Sequence, residues 1–246
     1  MNLKIKIIFV FLFISWNANA QSTRQVLTRQ VVWGGLFCEY KITPVLSTTL
    51  DVQGRYEYTD GDWVLWATRV GVWYKTKSGV NFGTGLAQFN YYSNPNGKPA
   101  RPEWRPWEEV GDKIKIGHHT IYPRFRFEQR FIRELNGNVL ADKTTFSAFR
   151  ERFRVDYNYR FNLEKDRGFS IVENQEILFA TKKTGFSAMD TFRFSVGFAY
   201  AFNKTFSTQL VYLYQLQQKD SNHFEEQEII RFTLQFLLTK PVKKSE

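Results

Sequence analysis

The feature that most constrains this chain is an alternation of apolar and polar side chains with period two, sustained over segments longer than ordinary soluble strands. From Leu46 to Tyr58 one face carries Leu46, Thr48, Leu50, Val52, Gly54, Tyr56 and Tyr58, and the other Ser47, Thr49, Asp51, Gln53, Arg55 and Glu57. Successive side chains of a strand point to opposite faces, so one face meets lipid or a core and the other meets water. Asp190 to Phe202 repeats the pattern, with Phe192, Phe194, Val196, Phe198, Tyr200 and Phe202 set against Thr191, Arg193, Ser195, Gly197, Ala199 and Ala201. Phe206 to Gln217 follows less cleanly, because Val211 and Leu213 interrupt its polar face.

Further segments of this kind are Val31 to Ile42, Trp63 to Lys75, Val80 to Tyr92, Tyr122 to Glu134, Thr145 to Phe161, Phe169 to Thr181 and Glu228 to Thr239. Turn chemistry separates them, as at Thr43-Pro44, Asp60-Gly61-Asp62, Lys77-Ser78-Gly79, Asn136-Gly137-Asn138, Asp166-Arg167-Gly168, Asn203-Lys204 and Asp220-Ser221-Asn222. Ten strands of roughly 11 to 17 residues result. Soluble strands usually run about 5 to 6 residues, whereas a tilted membrane-spanning strand needs about 9 to 11. The expectation is an all-β fold, an antiparallel transmembrane β-barrel of 10–12 strands occupying residues 21–240.

Composition agrees with this reading. Aromatic residues make up 17% of a chain whose mean hydropathy is only −0.41. A membrane barrel has an apolar exterior and a polar lumen, so its average looks soluble. A soluble sandwich or lipocalin-like barrel would have to bury most of the 24 Phe, 12 Tyr and 7 Trp inside, more than a small barrel interior holds. Pairs such as Tyr56/Tyr58, Tyr91/Tyr92, Tyr157/Tyr159 and Trp73/Tyr74 fit interfacial girdles.

Residues 1–20 read as a signal peptide: Lys4 and Lys6, an apolar run from Ile7 to Trp16, then Ala18-Asn19-Ala20. The run is too short to span a bilayer. Cleavage before Gln21 removes two lysines and lowers the net charge from +10 to +8. Cys38 lies well past that site, which argues against a lipid anchor, and a single Cys excludes an internal disulfide. The predicted location is the cell outer membrane. Residues 241–246 form a polar tail after Phe232, Leu234, Phe236 and Leu238, where many barrels instead end on an aromatic residue.

One segment resists the pattern. Residues 93–112 hold four prolines, two glycines and two tryptophans, and proline density disfavours a central strand, so a long loop within the barrel is expected. Extra strands at Glu103 to Val110 or Lys113 to Gly117 would raise the count to twelve.

These features together resemble a Gram-negative outer-membrane barrel family, domain-of-unknown-function family 2490. The residues carrying the resemblance are Trp33, Glu103-Trp104-Arg105-Pro106-Trp107-Glu108, Arg124-Phe125-Arg126-Phe127-Glu128-Gln129-Arg130-Phe131, Asn174-Gln175-Glu176-Ile177, Asp190-Thr191-Phe192-Arg193 and Gly197-Phe198-Ala199-Tyr200. The resemblance implies an outer-membrane barrel and brings no established activity.

The strongest charged constellation is a ladder on two strands. Arg124, Arg126, Glu128 and Arg130 share one face, and Arg150, Arg152, Arg154, Asp156, Asn158 and Arg160 share one face of the next. Each arginine would cost about 2 to 4 kcal/mol near the bilayer midplane, so these must face the lumen. Glu151 and Arg133 fall on the apolar parity and are expected near strand ends. The ladder reads either as an anion-favouring pore lining or as a brace in which arginines pair with Glu128, Asp156, Asp51, Glu57, Glu173 or Glu176. A second candidate, a loop or constriction, is Arg101, Glu103, Trp104, Arg105 and Trp107.

The function expected is a narrow, anion-preferring channel with a partly occluded lumen, or a structural envelope protein, acting as a monomer among outer-membrane lipids and small anionic solutes. A barrel enzyme acting on membrane lipids, a phospholipase or lipid A-modifying enzyme, is the alternative. Its only bases are His118, His119 and His223, with Ser93, Ser147 or Ser221 as nucleophiles, and no nucleophile elbow or His-x-Ser-Asn arrangement is present. No catalytic residue, metal ligand or cofactor is therefore assigned. His118 and His119, adjoining a strand start, should point to opposite faces. The basic balance is not read as a nucleic-acid surface, because those residues occupy wall positions of an exported chain.

Overall fold

The computed structural model describes residues 25–59, 61–92, 100–137, 139–163, 166–182, 185–219 and 223–240. The predicted signal peptide, the 241–246 tail, residues 93–99 of the expected loop, and Ser93 and Ser221 lie outside these. The strands are β1 Gln25–Lys41, β2 Leu46–Glu57, β3 Asp62–Lys75, β4 Val80–Tyr91, β5 Arg101–Asp112, β6 Ile114–Ile116, β7 His119–Ile132, β8 Leu135–Asn136, β9 Val139–Leu140, β10 Thr145–Arg160, β11 Gly168–Lys182, β12 Gly185–Ala201, β13 Phe206–Gln218 and β14 His223–Thr239. All ten expected strands are present, and an eleventh, β5, occupies the proline-rich segment.

Each long strand pairs with the next, and β10 closes on β7, so eleven strands form a closed barrel wall. β6 continues the β5 edge along β7, and β8–β9 is a small hairpin above the wall. Neighbours are antiparallel except at the seam, where β1 runs parallel to β14 from Gln25↔His223 to Lys41↔Thr239. The expected antiparallel barrel of 10–12 strands is thus found with eleven, and with this one parallel pair at its seam. An odd strand number forces its first and last strands to run in the same direction, whereas single-chain bacterial outer-membrane barrels are built on even numbers. β1 consequently begins at one rim and β14 ends at the other.

The long loop expected over 93–112 is corrected from Arg101 onward, and the extra strand allowed for at Glu103 to Val110 is present as β5. Pro102 and Pro106 are accommodated because β5 keeps an unbroken ladder with β4, while its ladder with β7 lapses at Arg105 and Pro106, between Trp104↔Phe131 and Trp107↔Glu128. Proline removes one donor, and the lost bond falls on one neighbour only.

The outer wall is apolar and aromatic. Val70, Val72, Phe153, Phe198, Leu210 and Phe232 project outward and are exposed. Near the rim formed by the 42–45, 76–79, 161–167 and 202–205 connections, aromatic rings run in contact through Phe169–Tyr200 (4.7 Å), Tyr200–Phe202 (4.8 Å), Phe202–Phe206 (5.0 Å) and Phe206–Phe236 (5.0 Å). Tyr58, Trp63, Trp66, Tyr92 and Trp104 are exposed toward the opposite rim, where β4 leads to β5 and β7 to β10 across the longest sequence separations between wall strands. Two members of the expected girdle pairs turn inward instead: the Tyr91 hydroxyl accepts from Arg105, and Trp73 packs on Trp107. Adjacent residues of a strand cannot both face outward. Glu151 also departs from expectation. It lies well inside β10, on the outward parity opposite Phe127 and Phe179, and not at a strand end.

Candidate functional site

The lumen divides into two halves. Toward the long-loop rim the inward positions are dry. Leu65, Ala67, Ala87, Phe89 and Trp107 form one buried cluster, and Val31, Trp33, Leu213 and Ile229 form another, with Leu65 1% and Ile229 0% exposed. Val211 and Leu213, which interrupt the polar face of β13 in the sequence, are lumen-filling residues there.

A lattice of buried ion pairs crosses this packing. Arg105 donates from Nε to Glu103 Oε1 at 2.6 Å, from Nη1 to Glu128 Oε2 at 3.4 Å and from Nη2 to the Tyr91 hydroxyl at 2.6 Å. Arg130 grips Glu103 with two bonds, at 2.5 and 3.0 Å. Arg152 lies between Glu128 (3.0 Å) and Glu176 (3.3 Å), and Arg193 donates to the other Glu176 oxygen at 2.7 Å. Arg126 donates to Glu109 at 2.6 Å, and Arg124 links Glu109 at 3.2 Å to Asp156, which Arg154 also holds at 2.5 Å. Charges of alternating sign thus connect β5, β7, β10, β11 and β12. Burying charge is tolerable only when it is paired and hydrogen-bonded, and planar guanidinium forks do this for carboxylates.

Toward the short-turn rim the lumen opens into a cup of about 680 Å³. Trp33 and Trp107 form its floor, and Arg69, Arg124, Arg126, Arg152, Arg154 and Arg231 line its wall. Lys41, Lys75, Lys113 and Lys115 stand around the mouth. Among the described residues, only Glu39, Asp51 and Glu109 contribute acid to the lining. The floor is set by close backbone approach: a Cβ at Gly71 or Gly85 would lie 2.6 Å from the Trp107 ring, so glycine on β3 and β4 admits the indole. Arg126 covers that indole at 4.4 Å, and Arg55 covers Trp33 at 3.7 Å.

The predicted ladder residues Arg124, Arg126, Glu128, Arg130, Arg150, Arg152, Arg154, Asp156 and Glu176 all belong to this interior, with Arg150 paired to Asp190 at 2.6 Å. Arg160 does not join them, since it donates to the carbonyls of Asn162 and Asp166 in the short-turn connection. The second candidate group splits by parity. Glu103, Arg105 and Trp107 point inward, Trp104 points outward, and Arg101 pairs with Glu134 at the rim. Among the partners proposed for the ladder, Asp51 pairs instead with Arg69 and Glu57 with Arg29, and Glu173 lies on the outward parity, bonded to Gln175. Glu109, Asp190 and Arg193 are the missed members. Glu109 sat in the expected loop, while Arg193 stood on a readable polar face without neighbours of like kind.

The histidines behave differently from the parity expectation. Gly117 adopts a left-handed turn (φ 56°), and both rings pack on Tyr159, His118 at 5.6 Å and His119 at 5.1 Å. The Nδ1 of His118 meets the Arg160 carbonyl at 2.6 Å, and that of His119 meets the Tyr157 hydroxyl at 2.8 Å. His223 begins β14 at the other rim.

Residues 30–244 match the model of a family described as a protein of unknown function, DUF2490. The chain belongs to DUF2490. No curated protein matches the DUF2490 chain. Solved structures similar to it include the outer-membrane expressed OmpT of Vibrio cholerae, at 14% identity and a TM-score of 0.38 over 70% of this chain and 55% of that one. The loop L8 deletion mutant of the same OmpT matches at 16% identity and a TM-score of 0.40, over 72% and 58%. The DUF2490 chain therefore spans less than two thirds of either structure.

Proposed function

We propose that this DUF2490 protein resides in the bacterial outer membrane as a monomeric, normally closed barrel whose narrow path favours small anions. The observation that carries this reading is the division of the lumen into a dry, ion-paired half and a cationic cup. A low-dielectric wall lined mainly by cations concentrates anions at its mouth, and arginine or lysine rings select for them. The packed half argues against a standing aqueous pore, so passage requires the lattice to part. Short turns are periplasmic in outer-membrane barrels and long loops extracellular, which supports a cup facing the periplasm. Residues 1–20 would supply the export signal.

Planar-bilayer recording tests the reading. Wild-type protein should show a quiet baseline with brief openings whose reversal potential favours chloride over potassium, and Arg152→Ala should reduce that preference. Steady conductance from wild type, or preference for cations, would overturn it. Complete silence at every voltage would instead favour a purely structural envelope role, to which the extent of the buried lattice also points.

A further inference from the structure

We propose that the cup is a binding site for a water-soluble small molecule carrying a diphosphate or two phosphate groups. This rests on the anion-preferring reading above and adds a resident ligand class to it. The first observation is charge: the cup's cations outnumber its acids about threefold, and two of its three acids are already engaged, Asp51 by Arg69 and Glu109 by Arg124 and Arg126. The second observation is independent of charge. Buried donors with no hydrogen-bond partner among the described residues concentrate on cup residues, at Trp33 Nε1, Trp107 Nε1, Arg69 Nε, Arg126 Nη1, Arg152 Nε and Arg231 Nε. A buried unpaired donor is costly, and such groups are rare in folded proteins. These donors have no accessible surface of their own, so a ligand meets them only once the side chains turn toward the cup; the group that would then satisfy them presents many acceptor oxygens and negative charge, and no donors.

Arg231 decides the multiplicity. Among the described residues it makes no ion pair, and it lies four strands along the wall from Arg154, so guanidiniums from both strands line one cavity. A single tetrahedral anion satisfies one guanidinium fork, while two linked phosphates can engage both. The volume of about 680 Å³ falls within the range of small-molecule pockets, roughly 300 to 1,000 Å³. The mouth opens axially, at the short-turn rim, and not through the lipid-facing wall. That geometry favours a solute over a diphosphorylated lipid headgroup of the same chemistry.

Calorimetric titration of the full chain in neutral-lipid discs tests the proposal, with inorganic pyrophosphate as the probe and orthophosphate and sulfate at matched ionic strength as comparisons. Pyrophosphate should bind at least tenfold more tightly than either. Arg231→Gln, which breaks no ion pair, should lose at least tenfold while keeping the folded gel mobility, and the exposed Lys204→Gln should bind as wild type. Equal affinity for pyrophosphate and sulfate, or wild-type binding by Arg231→Gln, would overturn the site. Loss of pyrophosphate binding in discs containing a diphosphorylated lipid would overturn the soluble source. Conductance is not read here, so a failure of binding and a failure of the channel reading are separate results.

Discussion

Arg105 donates to Glu103 at 2.6 Å within a single strand, two residues apart, with both side chains buried in the barrel lumen. Glu103 also receives two bonds from Arg130 on β7, so one fully buried carboxylate is shared by a buried guanidinium, Arg105, and a partly buried one, Arg130. Removing one member of such a buried group leaves an uncompensated charge and costs about 3 to 5 kcal/mol. Glu103→Leu should therefore lower stability by that amount in urea unfolding followed in detergent. Glu134→Ala, which breaks the half-exposed pair with Arg101 (3.3 Å), should cost less than about 1 kcal/mol.

The indole of Trp107 fits over Gly71 and Gly85, and a methyl group at Gly71 would meet it at 2.6 Å. Gly71→Ala should destabilise by about 1 to 3 kcal/mol through overpacking and shift the tryptophan emission to the red as water reaches the floor. At Gly34, with nothing within 4 Å of the added Cβ, the same substitution should leave both readouts unchanged.

The seam yields a chemical test of the strand count. Native Cys38 on β1 faces Phe236 on β14 in the parallel register. A short bifunctional thiol reagent should link Cys38 to the residue introduced by Phe236→Cys, giving a faster-migrating species on a denaturing gel. Absence of that species, with both thiols reactive toward a monofunctional reagent, would contradict the eleven-strand closure.

The outer wall makes a prediction about lipid. Leu210 and Phe232 are paired across β13 and β14 and both project outward. Leu210→Arg should cost about 2 to 4 kcal/mol when folding is measured in bilayers, whereas an arginine is already tolerated inside at Arg231.

Ten of the eleven wall strands were legible because lipid outside and charge inside impose a two-residue period that survives averaging over neither face. β5 was legible only as an optional strand over Glu103 to Val110, for a local reason: Pro102 and Pro106 read as breakers, and only the register shows that Pro106 costs pairing on the β7 side alone. Missing β5 hid half of the lattice, since Glu103 and Glu109 are the acids that Arg105, Arg124, Arg126 and Arg130 hold. The ladder itself was plain, because an arginine row has only one tolerable face. Closure was not encoded in any strand's pattern. Alternation says which side a residue faces and nothing about which strand meets β1, and the cup exists only once β14 brings Arg231 into the same cavity as Arg154 and Arg126. Val211 and Leu213 looked like noise in a polar face, yet they fill the dry half.

That division is the central claim, and one strand can test it. Thr233 and Ile229 sit four residues apart on the inward face of β14, Thr233 lining the cup and Ile229 0% exposed in the packed half. In a Cys38→Ser background, Thr233→Cys should react rapidly with a charged, membrane-impermeant methanethiosulfonate reagent, and Ile229→Cys should remain unmodified over the same period. Equal reaction at the two positions would show water running through the whole lumen and would contradict the closed barrel.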